Sequence, residues 1–223
     1  MQISTDERFV ACLTHLADKF HRSVRRQQNR IVLNLPDTID QDQLADAIVH
    51  QIVTRMKATY LHDHIKIKSD LLIRVLVNYD QHTDILIATS LIKITPQMLL
   101  DSIYDFTLQR LKCRWHEVAQ LVNDNHVQLT QKQVFDDLLR FLIVNMDCRM
   151  KEAHVRLINR LPTVCNSDLE PIKTNSDNII NTLIDMAPQR IYIHAEQGMQ
   201  TQIIQEIEHL FPNCICIESG CVL

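Results

Sequence analysis

Apolar residues recur along this chain at spacings of three and four in several separate stretches, each of which predicts an amphipathic helix. Phe9, Leu13, Leu16 and Phe20 predict a first helix from about Thr5 towards Gln28. Asn29 punctuates, and Arg30-Ile-Val-Leu-Asn-Leu35, closed by Pro36, predicts a short strand, because proline cannot donate to a ladder. From Asp40, an N-cap residue type, Leu44, Ala47, Ile48, Ile52 and Met56 restore helical spacing to about Leu61. The opening of the chain reads α-β-α.

Between residues 65 and 92, Leu71, Leu72, Val75, Leu76 and Tyr79 fit a helix, although the β-branched content also suits strands; the expectation is two short helices. Thr95-Pro96 has the form of a helix start, a capping hydroxyl followed by a residue whose missing N–H costs nothing in the first turn. Leu100, Tyr104, Leu108, Leu111, Trp115, Val118 and Val122 then form one long apolar stripe, ending near Asn123-Asp-Asn125. After Thr130, a second helix carries Val134, Leu138, Phe141, Leu142 and Met146, and the short connection predicts an antiparallel helical pair.

Past Leu161-Pro162 the elements shorten. A helix from about Asp177 to Ala187 leads through Pro188 to Arg190-Ile-Tyr-Ile-His194, then to a helix with Met199, Ile203, Ile207 and Leu210 inward, then to Cys214-Ile-Cys-Ile217. This is a βαβ pattern with two parallel strands, to which His154-Val-Arg-Leu-Ile158 can add another. The fold class expected is α+β and mainly helical: an α-β-α segment over 1–64, a central helical bundle over 65–150 and a small α/β subdomain over 151–223.

Composition narrows the function classes. The chain has 223 residues, of which 46% are hydrophobic, ample for a buried core. It holds only two glycines, Gly198 and Gly220, so it has neither a P-loop nor a Rossmann fingerprint, both of which need several glycines in close order. A formal charge of -4 gives no global field for nucleic acid or anionic lipid. Asp6 and Glu7 stand where a secretory signal would be basic and then apolar, and runs such as Ile85 to Ile92 fall far short of the roughly 20 residues of a spanning helix. Seven cysteines in a chain of this size fit reduced thiols, so a cytoplasmic location and no membrane partner are expected.

Four groups of residues carry candidate chemistry. Lys19, Arg22, Arg25, Arg26 and Arg30 place five cations in twelve residues, a surface for an acidic protein partner or for nucleic-acid phosphates, or else a solvated helix end. His194 and Glu196 follow a strand's carboxyl end, where open α/β sheets hold ligands, with Gly198 allowing close backbone approach; the alternative is an ordinary loop. Cys214, Cys216 and Cys221 could ligate zinc or an iron–sulfur cluster with a further ligand from His194 or His209, or be buried apolar cysteines; no cofactor is the leading expectation. His62 with His64, Cys113 with His116, Asp136-Asp137, and Asp101 with Asp105 read as structural.

The order of elements from the Trp115 helix to the C-terminus resembles the YtxC-like family of sporulation proteins. The resemblance is carried by Leu183-Ile-Asp-Met-Ala-Pro188, Arg190-Ile-Tyr-Ile-His194, Leu210-Phe-Pro212 and Ile217-Glu-Ser-Gly-Cys221, with Phe106-Thr-Leu-Gln-Arg-Leu-Lys112 and Phe135-Asp-Asp-Leu-Leu-Arg-Phe141 similar to the preceding helical segments. It covers roughly the last 120 residues. It implies a sporulation-linked protein and brings no reaction or catalytic residue. The expected function is a protein-interaction or regulatory role, with nucleic-acid binding through the basic segment, or metal or enzymatic chemistry in the tail, as alternatives.

Overall fold

The structure, a computed structural model, describes residues 1–36, 38–158, 161–172, 178–194, 201–212 and 214–218. The fold is α+β and mainly helical, with two small mixed sheets. The chain divides into two compact units, one of Met1–Lys68 with Asp80–Asn125, the other of Ser69–Tyr79 with His126–Leu223. These cut across the expected segments 1–64, 65–150 and 151–223, and the helices expected as one central bundle are shared between both units.

In the first unit, strand β1 (Gln2–Thr5) lies between β3 (Arg30–Asn34), antiparallel to it, and β4 (Gln97–Leu99), parallel to it; β2 (Arg25–Gln27) pairs antiparallel outside β3. Helix α1 (Val10–Lys19) lies against β1 and β3 and buries Leu13 and Leu16, with Phe9 just before it. The expected helix to Gln28 therefore stops at Lys19. His21 takes a left-handed φ of 51°, and the polar residues beyond it become β2, whose hairpin with β3 turns at Gln28 with φ 55°. The Thr95-Pro96 helix start is also overturned: the Pro96 carbonyl accepts the Gln2 N–H at 2.7 Å, and the next three residues form β4.

Helix α2 (Gln41–Gln51) starts where expected, the Asp40 carboxylate accepting the Asp42 N–H at 3.1 Å. It runs through a π-helical turn (Ile52–Met56) into α3 (Lys57–His64). Beyond α4 (Asp70–Asn78), which belongs to the second unit, comes α5 (Gln81–Leu91); the two short helices expected over 65–92 both form. The long Trp115 stripe is divided: a short α6 (Leu100–Ser102), a second π-helical turn (Ile103–Thr107), then α7 (Gln109–Asp124), which packs on α3 and α5.

In the second unit, α8 (Lys132–Val144) packs on α4. Strands β5 (Met150–Ile158), β6 (Leu161–Cys165), β7 (Pro188–His194) and β8 (Ile215–Glu218) form a sheet of order β6-β5-β7-β8, with β5, β7 and β8 parallel and β6 antiparallel to β5. Helix α9 (Ile179–Met186) packs on α4, β5 and β6, and α10 (Thr201–Leu210) packs on α8. Asn178 caps α9 by accepting the N–H of Ile180 at 2.8 Å. The expected βαβ unit forms with parallel strands. Leu161-Pro162 opens β6, an outer strand where a proline costs no ladder bond.

Candidate interaction surface on the second sheet

Alternation along β5 and β7 sorts their side chains onto two faces. Ala153, Val155, Ile191 and Ile193 are fully buried, whereas Glu152, His154, Arg156, Tyr192 and His194 are half-buried and Arg190 is exposed. The parallel register sets His154 beside Tyr192 and Glu152 beside Arg190, and it sets Tyr192 beside the exposed Cys216 of β8. A polar strip of imidazole, phenol, guanidinium and thiol groups thus crosses three strands.

At the centre of the strip the rings stand against one another. His154 stacks on Tyr192 with centroids 5.0 Å apart and planes 15° from parallel, and on His194 at 5.2 Å and 23°. His154 Nδ1 and His194 Nε2 share a hydrogen bond of 3.0 Å, one donating and the other accepting, so the pair holds at most one proton at that bond. The neighbouring Tyr192 side chain raises the pKa of Arg190. The stacking covers a ring face on each of the three side chains.

His194, expected to act with Glu196 and Gly198, is therefore held by His154; Glu196 and Gly198 lie outside the described residues. Cys214 is half-buried and free, its thiol pushed up by burial and by Cys148 nearby, and Cys216 is free and exposed. Cys221 lies outside the described residues, and among those described no group of three or more His, Cys, Asp or Glu side chains could hold a metal ion. His209 reaches Asp136 at 3.6 Å.

The five expected cations do not share a helix. Lys19 ends α1, Arg22 lies in the turn after it, Arg25 and Arg26 are in β2 and Arg30 opens β3, all exposed. Acidic residues are interleaved with them. Arg26 meets Glu7 at 3.2 Å, Arg8 meets Asp105 at 3.0 Å, and Arg30 helps hold the Asp6 carboxyl below its ordinary pKa, behind the larger effect of its bond with Asp101. Together Asp6, Glu7, Arg8, Arg26 and Asn29 line a shallow, mixed-charge depression.

Two arrangements had only faint signals in the sequence. One is the strip itself, foreshadowed by the period-two patterns His154-x-Arg156 and Arg190-x-Tyr192-x-His194. The other is a buried network in the first unit: Lys57 Nζ lies 2.7 Å from Asp84 Oδ2, each side chain 3% exposed, and Trp115 Nε1 donates to that same oxygen at 3.0 Å. Arg114 approaches Asp84 Oδ1 at 3.5 Å and also pairs with Asp80. Burial lowers the Lys57 pKa, against the opposing pull of Asp84. Among the expected structural pairs, His116 Nδ1 bonds the Tyr60 hydroxyl at 3.2 Å, and His64 stacks on Tyr60 at 4.0 Å.

No protein-family model, no curated protein and no solved structure matches the chain. No helix among the described residues is long and apolar enough to cross a membrane.

Proposed function

We propose that the protein is a cytoplasmic, sporulation-associated interaction factor of the YtxC-like kind that recognises another protein through the polar face of its second sheet. The observation that carries this reading is the stacked His154–Tyr192–His194 group on half-buried strand positions, with Arg190 beside it. Edges of imidazole and phenol rings, together with guanidinium groups, match carboxylates and peptide groups of a protein partner. Single-stranded nucleic acid instead favours aromatic rings with free faces, on which bases can stack. The interleaving of Glu7, Asp6 and Asp105 with the basic residues likewise weakens the case for a phosphate-binding surface near β2.

The test is affinity purification of the tagged full chain from sporulating cells, with and without nuclease, alongside Tyr192→Ala, Arg190→Glu and Arg26→Ala variants. The expected result is a nuclease-resistant protein partner retained by Arg26→Ala and lost by at least tenfold in the two sheet variants, about 1.4 kcal/mol or more. A complex abolished by nuclease, or one lost with Arg26→Ala and kept by Tyr192→Ala, overturns the proposal.

A further inference from the structure

Helix α8 is apolar on two sides. Leu139, Leu142 and Ile143 face inward and are buried as α8 packs on α4 and α10. Val134, Leu138 and Phe141 recur at steps of four and three and make a second stripe, roughly opposite the first, with Val144 at its shoulder. Much of that second stripe is open to solvent: Val134 is 37% exposed, Val144 44% and Phe141 59%, with Leu138 half-buried between them. A water-facing helix normally carries polar residues there, so the stripe marks a contact face.

Charge placement identifies the occupant. Asp137 and Arg140 lie along one edge of the stripe, the same edge as Val144, and their own ion pair is a loose 3.8 Å contact with Asp137 63% exposed. When two copies of α8 pack antiparallel about a two-fold axis near residue 139, each edge meets the same edge of the other helix, in reversed order. Leu138 then opposes Phe141 of the partner subunit, and Asp137 lies alongside Arg140 of the partner subunit, twice by symmetry. A parallel two-fold pairing would instead set this edge against the opposite edge of the other helix, so Asp137 and Arg140 would not meet. The stripe is complementary to its own reverse, which is the property of a surface that binds a second copy of itself.

We infer that the protein forms a two-fold symmetric homodimer through antiparallel packing of α8 on α8. A helix of 13 residues spans about 20 Å, so the contact is small against a standard interface, and a dissociation constant on the order of 10 to 100 μM fits it.

The experiment is sedimentation equilibrium of the full chain from micromolar to near-millimolar concentration, with circular dichroism to confirm that each variant is folded. The wild type is expected to show a concentration-dependent monomer–dimer equilibrium. Phe141→Glu raises the dissociation constant at least tenfold, and because Phe141 already faces water this change spares the core. Asp137→Arg and Arg140→Asp each raise it about tenfold by placing like charges together. The double variant D137R/R140D restores opposite charges and returns to within about threefold of wild type. A monomer at every concentration overturns the inference, as does a dimer indifferent to Phe141→Glu; a double variant no tighter than either single one overturns the antiparallel register.

Discussion

Replacing Lys57 by methionine removes one half of a charge pair sealed in the first unit and leaves the other half in place. The Asp84 carboxylate, 3% exposed, keeps the Trp115 N–H at 3.0 Å and the edge of Arg114 at 3.5 Å but loses its 2.7 Å ammonium partner. Removing one partner of a buried pair typically costs about 3–5 kcal/mol, because the remaining charge is unsolvated and here keeps only the more distant Arg114 as counter-charge. Asp84→Leu costs somewhat less, about 2–4 kcal/mol, because burial already lowers the Lys57 pKa and a lone buried lysine can shed its proton. The double variant K57M/D84L removes both charges and orphans the Trp115 N–H, worth about 1–3 kcal/mol, while Arg114 loses its 3.5 Å contact but keeps Asp80. The two single losses should therefore fail to add, with a coupling energy above about 2 kcal/mol. Urea unfolding followed by fluorescence reads this directly, since Trp115 is the chain's single tryptophan and belongs to the network. With a slope of about 2 kcal/mol/M, Lys57→Met moves the midpoint down by about 2 M. A loss below about 1 kcal/mol for Lys57→Met, or a double variant as unstable as the sum of the singles, refutes the reasoning.

Two further predictions concern burial and backbone strain. The Cys12 thiol, on the buried side of α1, is pushed up to about 12 from an ordinary value of 9.0, so above 9.0 the folded state keeps a proton that the unfolded state has lost; stability falls as pH rises through that window, by up to about 1.4 kcal/mol per pH unit. Urea midpoints taken from neutral to alkaline pH should show this decline in the wild type and a shallower one in Cys12→Ala; equal slopes refute the assignment. Ala187 ends α9 in the left-handed region at φ 41° and ψ 60°, where a Cβ is unfavourable, so Ala187→Gly should stabilise by about 0.5–1 kcal/mol in thermal unfolding, and a loss of stability would show that the packing of its methyl group outweighs the strain.

Elements whose burial repeats at the helical or strand period were legible in the sequence: α4, α9, β3, β5 and β7 lie where the pattern predicts, and α8 forms there too, but Val134 and Phe141 of its expected stripe face water while Leu139 and Ile143 are buried. Those defined by distant pairing were not. Strand β2 is exposed at every position and so leaves no alternation to detect, and β1, with Ile3 and Thr5 buried, is too short to stand out. Pro96 carries the same local signal whether it opens a helix or offers its carbonyl to Gln2, ninety-four positions away. The candidate site divides in the same way. His194 was visible as a histidine at a strand end, but its partner His154 lies on a strand forty residues earlier, and only the parallel register of β5 and β7 brings the two together. Gly scarcity could be read as the absence of phosphate-binding loops, yet it did not foretell that His21, Gln28, Asp80, Leu169 and Ala187 would take positive φ without glycine.

The buried charge on Lys57 and the irregularity of its helix are one feature. Ile48 and Val53, both fully buried, are five residues apart, a step that a regular helix of 3.6 residues per turn does not keep on one face. At about 100° per residue, Lys57 would stand about 180° from Ile48, although the buried Val49 precedes Val53 by a regular step of four. The π-helical turn Ile52–Met56 takes up the extra residue and rotates the next turns of the helix, so that Val53, Met56 and then Lys57 come inward while Thr54 accepts a hydrogen bond from Gln81 at 3.0 Å. The wide turn is stable because the lysine it delivers meets Asp84, and Asp84 can be buried because Trp115 and Lys57 both reach it. Periodicity could not reveal this: a stripe searched at a constant step passes over Val53 and places Lys57 among the surface lysines.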